Sequence, residues 1–175
     1  MTIRVLVADD QAMIRGALAG LLDLEHDIEV VAQAADGAQA LEELARLTSA
    51  DAPARASAPV DVAIIDVEMP RMDGITATQA IRSRFPGVRV LIVTTFGRPG
   101  YLQRALDAGA TGFMVKDAPV EALADGVRTV ATGGRAIDQS LALEALSAGS
   151  SPLTDREADV LREVEGGGTI ADIAH

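Results

Sequence analysis

Val60-Asp61-Val62-Ala63-Ile64-Ile65-Asp66 is an apolar run, broken once by Asp61, that closes on an acid. Two other short apolar stretches also end in charge: Ile3-Arg4-Val5-Leu6-Val7-Ala8 runs into Asp9-Asp10, and Gly112-Phe113-Met114-Val115 runs into Lys116, the only lysine in the chain. Short apolar runs separated by helical patterns read as buried parallel strands. In an open parallel sheet, ligands bind at the carboxyl ends of the strands. That placement predicts that Asp9, Asp10, Asp66 and Lys116 meet in one crevice.

Three clustered carboxylates repel one another in a partly desolvated site unless protons or a cation neutralise them. Mg²⁺ suits such a cluster, because it prefers oxygen ligands and keeps several waters. A carboxylate beside that metal can attack a phosphoryl group and form an aspartyl phosphate, while the metal and an ammonium offset charge on the transferring oxygens. Each acid taken alone has a plainer reading as a helix cap, a common use of Asp at strand-to-helix turns.

Between the charged strand ends the pattern alternates. Gln11 to Leu24 carries Ile14, Leu18, Leu21 and Leu22 at helical spacing, and Ile28 to Ala32 reads as a second strand. A helix from about Gly37 to Leu47 sets Leu41, Leu44 and Leu47 on one face. Residues 48–59, rich in Ala, Ser and Pro, read as a surface loop. After the strand ending at Asp66 come a helix from Ile75 to Phe85, a strand from Val88 to Thr94, a helix from about Tyr101 to Ala108, the strand ending near Lys116, and a helix from about Val120 to Ala131. Five β/α units predict a flavodoxin-like, doubly wound α/β fold with a five-stranded parallel sheet.

Composition narrows the chemistry. The 175 residues hold one ordinary domain with room for a small second piece. Hydrophobic residues make up 49% but aromatics only 2%, so the core is built from Val, Ile, Leu and Ala. There is no cysteine, which removes disulfides, thiolate metal sites and cysteine nucleophiles. With only His26 and His175, a histidine metal site or a Ser-His-Asp triad is not expected. No stretch reaches the ~18 apolar residues of a membrane span, which predicts a cytoplasmic protein with no membrane insertion. The net charge of -11 argues against polyanion binding by this chain.

From Ile3 to about Ala131 the chain resembles the receiver of a bacterial two-component response regulator. The resemblance rests on Asp9-Asp10, on Asp66-Val67-Glu68-Met69-Pro70-Arg71-Met72-Asp73-Gly74, on Thr94-Thr95 and on Phe113-Met114-Val115-Lys116. It implies that Asp66 is the phospho-acceptor and that Asp9 and Asp10 position Mg²⁺, with the Glu68 backbone carbonyl completing the metal shell. It implies that Thr94 supplies a hydroxyl to the phosphoryl group, that Lys116 pairs with its oxygens, and that Phe113 is an aromatic switch turning inward when Thr94 moves. On residue type alone, Thr94 is an ordinary strand residue and Phe113 ordinary core. Two departures stand out: the loop at 48–59 is an insertion relative to compact receivers, and Asp117 follows the lysine where many receivers place proline, which comes here only at Pro119.

The tail suggests the branch. Residues 133–151 read as a linker after a receiver at 1–132, with Leu141, Leu143 and Leu146 as a candidate short helix. Leu153-Thr154-Asp155-Arg156-Glu157 opens a helix with a capping box, and residues 152–175 resemble the start of the helix-turn-helix effector of NarL/FixJ (LuxR-type) regulators, without its recognition helix. Residues 94–101 resemble the DesR type of that branch. The resemblance implies a sensor histidine kinase as partner, a homodimer on phosphorylation through either helices one and five or helix four, strand five and helix five, and promoter DNA as partner of a longer parent. Ala17 and Gly20 on helix one and Ala122 and Gly126 on helix five would permit close packing, but alanine is abundant throughout, so composition alone explains these small residues equally well. With six acids against two arginines after residue 151, this chain itself is not expected to bind DNA specifically. Two alternatives stay open at this point: a Mg²⁺-dependent phosphohydrolase with an aspartyl nucleophile, in which Glu68 would be the general acid/base, and a stand-alone receiver acting by protein contacts.

Overall fold

Strand pairing follows from β-branched and leucine-rich runs that are buried on both faces. In the computed structural model, which describes residues 2–48, 60–95, 99–138 and 141, β1 (Ile3–Ala8), β2 (Ile28–Ala34), β3 (Val62–Ile65), β4 (Arg89–Thr94), β5 (Gly112–Val115) and β6 (Ala136–Ile137) form one sheet in the order β2-β1-β3-β4-β5-β6. All neighbouring pairs are parallel. The sheet therefore has six strands where five were expected. The added β6 lies within the stretch read as linker and pairs Ala136 with Gly112 and Ile137 with Phe113. Two residues carry no detectable periodicity, so this strand is invisible to pattern reading.

Helices α1 (Ala12–Leu22), α2 (Gly37–Thr48), α3 (Gly74–Arg84), α4 (Pro99–Asp107) and α5 (Val120–Ala131) cover both faces. One face buries Leu41, Leu44 and Leu47 of α2, Ile75 and Ile81 of α3, and Leu102 and Ala105 of α4 against Leu6, Ile65, Ile92 and Phe113. The other buries Leu22 of α1 and Leu123, Val127 and Val130 of α5 against Val5, Val7, Ile64 and Val93. Leu141 is buried in the first of these clusters. The expected residues 142–175, including Leu143, Leu146 and the helix-turn-helix start, lie outside the described residues, as do most of the loop after α2 and the tripeptide Phe96-Gly97-Arg98.

Helix α1 is shorter than its pattern predicted. It stops at Leu22, and the turn that follows leaves Leu24 80% exposed. The loop from α1 to β2 is tied to α5 instead. Arg128 donates to Asp27 Oδ2 and Oδ1 at 2.9 and 2.7 Å, to Glu25 at 2.6 Å and to Asp125 at 3.0 Å. The Arg128 guanidinium holds the Asp27 carboxyl down at about 2. A carboxyl lowered in the fold adds stability above its unfolded pKa and loses it as pH falls through the folded value. Arg128→Ala is thus expected to lower the melting temperature at pH 7, and the gap from wild type should close as the pH approaches 2. A constant gap across that range in pH-resolved melting curves would show that the guanidinium acts through packing alone.

Candidate functional site

The backbone ladder continues past the strand ends and fixes where the charged side chains emerge. Asp9 N–H donates to Ala34 O at 3.1 Å, Asp66 N–H to Ala8 O at 2.9 Å, and Lys116 N–H to Thr94 O at 2.8 Å. All four expected charged residues accordingly stand at the carboxyl edge of the sheet, Asp9, Asp10 and Asp66 flanking the point where strand order reverses between β1 and β3 and Lys116 following β5.

Lys116 Nζ lies 2.7 Å from Asp9 Oδ2 and 3.0 Å from Asp66 Oδ2, with all three side chains buried. Asp66 Oδ1 accepts from Val67 N–H at 2.8 Å, and Asp9 Oδ1 accepts from Gln11 N–H at 2.9 Å. Burial pushes the Asp66 carboxyl above the usual carboxylate range, the nearby Asp9 charge adds to that, and the Lys116 ammonium and Val67 N–H oppose it. Burial also works against the Lys116 ammonium, but its contacts with Asp9 and Asp66 outweigh that, so its pKa is raised and it stays charged.

One ammonium faces three carboxylates. Asp9, Asp10 and Asp66 each present an oxygen within 4.8 Å of the others, Asp10 from the exposed side. The buried Asp9 Oδ2 makes no aligned hydrogen bond, its contact with Lys116 being ionic. An excess of two negative charges and a buried carboxylate oxygen with a spare lone pair fit a hard divalent cation such as Mg²⁺. The donor set is all oxygen, which disfavours softer metals.

The remaining expected residues are close by in the fold. Thr94 closes β4 opposite Val115 and is 3% exposed. Phe113 is fully buried in the cluster beneath α4. Glu68 sits on the loop after β3 with its carboxylate exposed and accepting from the Tyr101 hydroxyl of α4 at 3.2 Å. Among the described residues no peptide bond is cis; after Lys116 the chain turns with Ala118 N–H donating to Val115 O at 3.3 Å.

Sequence reading missed three contributors. Arg15 of α1 donates to the Asp9 carbonyl at 2.6 Å. Arg71, in the loop between β3 and α3, has φ of 62°, a left-handed conformation that costs a non-glycine residue about 1 kcal/mol, and its guanidinium is paired with the buried Asp36. Tyr101 joins α4 to the same loop. Asp36 directly precedes α2, a capping position legible in the sequence, but nothing in the sequence links it to Arg71.

Residues 5–128, well over half of the chain, match the family described as the response regulator receiver domain. The chain belongs to the response regulator family. The transcriptional regulatory protein DesR of Bacillus subtilis is 39% identical to this response regulator over 172 residues, 98% of this chain and 79% of DesR. UhpA of Escherichia coli K12 is 34% identical over 173 residues, 98% of this chain and 81% of UhpA. The receiver domain of the response regulator NarL from Mycobacterium tuberculosis superposes with a TM-score of 0.66 at 34% identity, covering 75% of this chain and 98% of that domain. ChrA, the response regulator of a heme-sensing two-component system, superposes with a TM-score of 0.65 at 34% identity, covering 99% of this chain and 80% of ChrA. This response regulator is thus a two-component receiver of the NarL/LuxR type. Its relatives are transcriptional regulators rather than enzymes. Among its described residues no helix is long and apolar enough to cross a membrane.

Proposed function

We propose that this response regulator is cytoplasmic and accepts on Asp66 a phosphoryl group from its cognate sensor histidine kinase, and that Asp9, Asp10, Asp66 and the Glu68 backbone carbonyl hold the Mg²⁺ this requires. The observation that carries the reading is Lys116 Nζ bridging buried Asp9 and Asp66 beside an exposed third acid. A lone pair of the Asp66 carboxylate attacks phosphorus, the N–P bond of the phosphohistidine breaks, and the imidazole departs with the bonding electrons, leaving an acyl phosphate. Bound Mg²⁺ would offset charge on the transferring oxygens.

The chain's own residues do the rest. Lys116 opposes the upward push that burial gives the Asp66 carboxyl and pairs with a phosphoryl oxygen once the acyl phosphate forms. Val67 N–H orients the carboxylate through Oδ1. The Thr94 hydroxyl contacts the phosphoryl group, and the surface of α4 and β5 rearranges around Phe113, with a homodimer as the product of the switch. Because Phe113 is already buried, its part is to repack within the core rather than to swing in from solvent. A cavity of about 440 Å³ between α4 and the loop after β3, lined by Glu68, Met69, Ile75, Tyr101 and Arg104, leaves α4 room to shift. Enzymatic activity is limited to phosphotransfer to Asp66 and slow loss of the acyl phosphate. In a longer parent, residues 152–175 would open a helix-turn-helix domain that takes the signal to promoter DNA. The phosphohydrolase reading is disfavoured because Glu68, its general acid/base, is engaged by Tyr101.

Intact mass after incubation with acetyl phosphate tests this. One phosphoryl adduct per chain is expected with Mg²⁺ and none with EDTA, accompanied by a monomer-to-dimer shift in light scattering. Steady multiple-turnover phosphate release without an adduct would overturn it in favour of the hydrolase.

A further inference from the structure

The loop from Val67 to Asp73 carries both the neighbour of the acceptor and the proposed metal-binding carbonyl of Glu68, and it is stitched to the start of α2 by contacts that no local sequence rule dictates. Arg71 Nε donates to Asp36 Oδ2 at 2.8 Å, and a second guanidinium nitrogen pairs with the same oxygen. Asp36 is 2% exposed and is itself anchored, its Oδ1 accepting from Gln39 N–H at 3.0 Å. Next to it, Gly37 N–H donates to Met72 O at 3.1 Å, and a Cβ at Gly37 would come within 2.8 Å of that carbonyl. Loop and helix start are therefore in backbone contact. Burial works against the Asp36 carboxylate, yet Gln39 N–H and Arg71 hold its pKa below the usual range, so the pair is ionic at neutral pH.

We infer that Arg71 and Asp36 are a positioning pair: their ion pair clamps the loop so that the Glu68 carbonyl is presented to the metal. This rests on the proposed phospho-acceptor reading. The Arg71 guanidinium is directed to Asp36 rather than to the acids of the site, so it acts through the loop. Its left-handed backbone separates two roles that one substitution would confuse. A glycine at 71 adopts that conformation without penalty but has no guanidinium, so Arg71→Gly keeps the turn and removes the clamp.

The Mg²⁺ concentration giving half-maximal adduct formation from acetyl phosphate is the readout. Residues that orient a metal ligand from outside the coordination shell typically change metal affinity about 10-fold or more. Arg71→Gly and Arg71→Ala are each expected to raise the half-maximal Mg²⁺ about tenfold, with less change in the rate at saturating Mg²⁺. Arg71→Lys should recover part of the loss, because it restores a charge opposite Asp36 without the two-nitrogen fork. Far-ultraviolet circular dichroism confirms that each variant is folded. Wild-type Mg²⁺ dependence in Arg71→Gly overturns the clamp and leaves only a backbone role. So does an equal loss of rate at all Mg²⁺ concentrations. Absence of any adduct on the wild type would instead sink the acceptor reading itself, so the two failures are distinguishable.

Discussion

Asp66→Asn is expected to take up no phosphoryl group under conditions where wild type takes up one, and to melt higher than wild type at neutral pH without Mg²⁺. The first effect is the removal of the nucleophile, since an amide oxygen has neither the charge nor the lone-pair availability to form the acyl phosphate. The second follows from the electrostatics. Burial raises the folded-state pKa of Asp66 above its unfolded value despite Lys116. The folded carboxyl thus holds its proton more tightly, and wild type loses stability as pH rises from the ordinary carboxyl range through the raised value. Above the raised value the full cost is in place, and the amide escapes it while Asp9 remains as partner for Lys116. Well below about pH 4 both states of wild type are protonated and the advantage of the variant should vanish. Mg²⁺ should narrow the gap at neutral pH by stabilising wild type preferentially. A variant that melts lower than wild type throughout would mean that the Lys116–Asp66 attraction outweighs the burial of the carboxylate.

Gly74→Ala should be the most damaging single-methyl addition near the site. Gly74 begins α3 directly under the acceptor, and a Cβ there would overlap the Asp66 carbonyl oxygen while pressing on the Ile65 side chain. Its N–H donates to Val67 O at 2.9 Å, and Asp73 caps α3 by accepting from Ile75 and Thr76 N–H, each at 2.9 Å. The backbone is pinned on both sides and cannot move aside without displacing Asp66. Overpacking of this kind costs about 3 kcal/mol or more when the clash is with backbone. That corresponds to a loss of about 10 °C in melting temperature for a domain of this size, with adduct formation impaired in whatever fraction folds. Gly16→Ala is the matched control. Gly16 is exposed on α1, where an added methyl group would meet nothing within 4 Å, and Gly-to-Ala in a helix interior stabilises by about 0.5–1 kcal/mol. Equal melting temperatures for the two variants would show that the turn at Gly74 is softer than its contacts imply.

Much of this arrangement was legible in the sequence because strand ends are marked by abrupt changes from apolar to charged residues. Asp9, Asp66 and Lys116 meet as those changes predict, and α5 spans Val120–Ala131 as its pattern predicts. The alternation of β and α signals is local, and so is the information it carries. What escaped is tertiary. Arg71 and Asp36 are 35 residues apart, Tyr101 and Glu68 are 33 apart, and no periodicity connects either pair. β6 escaped for a different reason, since Ala136 and Ile137 become a strand only because β5 offers an open edge. In α1, the leucines at helical spacing overstated the buried face: Leu22 is fully buried, but Leu21 is 37% exposed.

The most direct test of the central claim is to locate the phosphoryl group. The acetyl-phosphate-treated protein would be reduced with borohydride, which converts an aspartyl phosphate to homoserine, and then digested and sequenced by mass spectrometry. Homoserine at position 66 alone is the predicted result. Homoserine at Asp9 or Asp10, or none anywhere in a protein that carries the adduct, would contradict Asp66 as the acceptor.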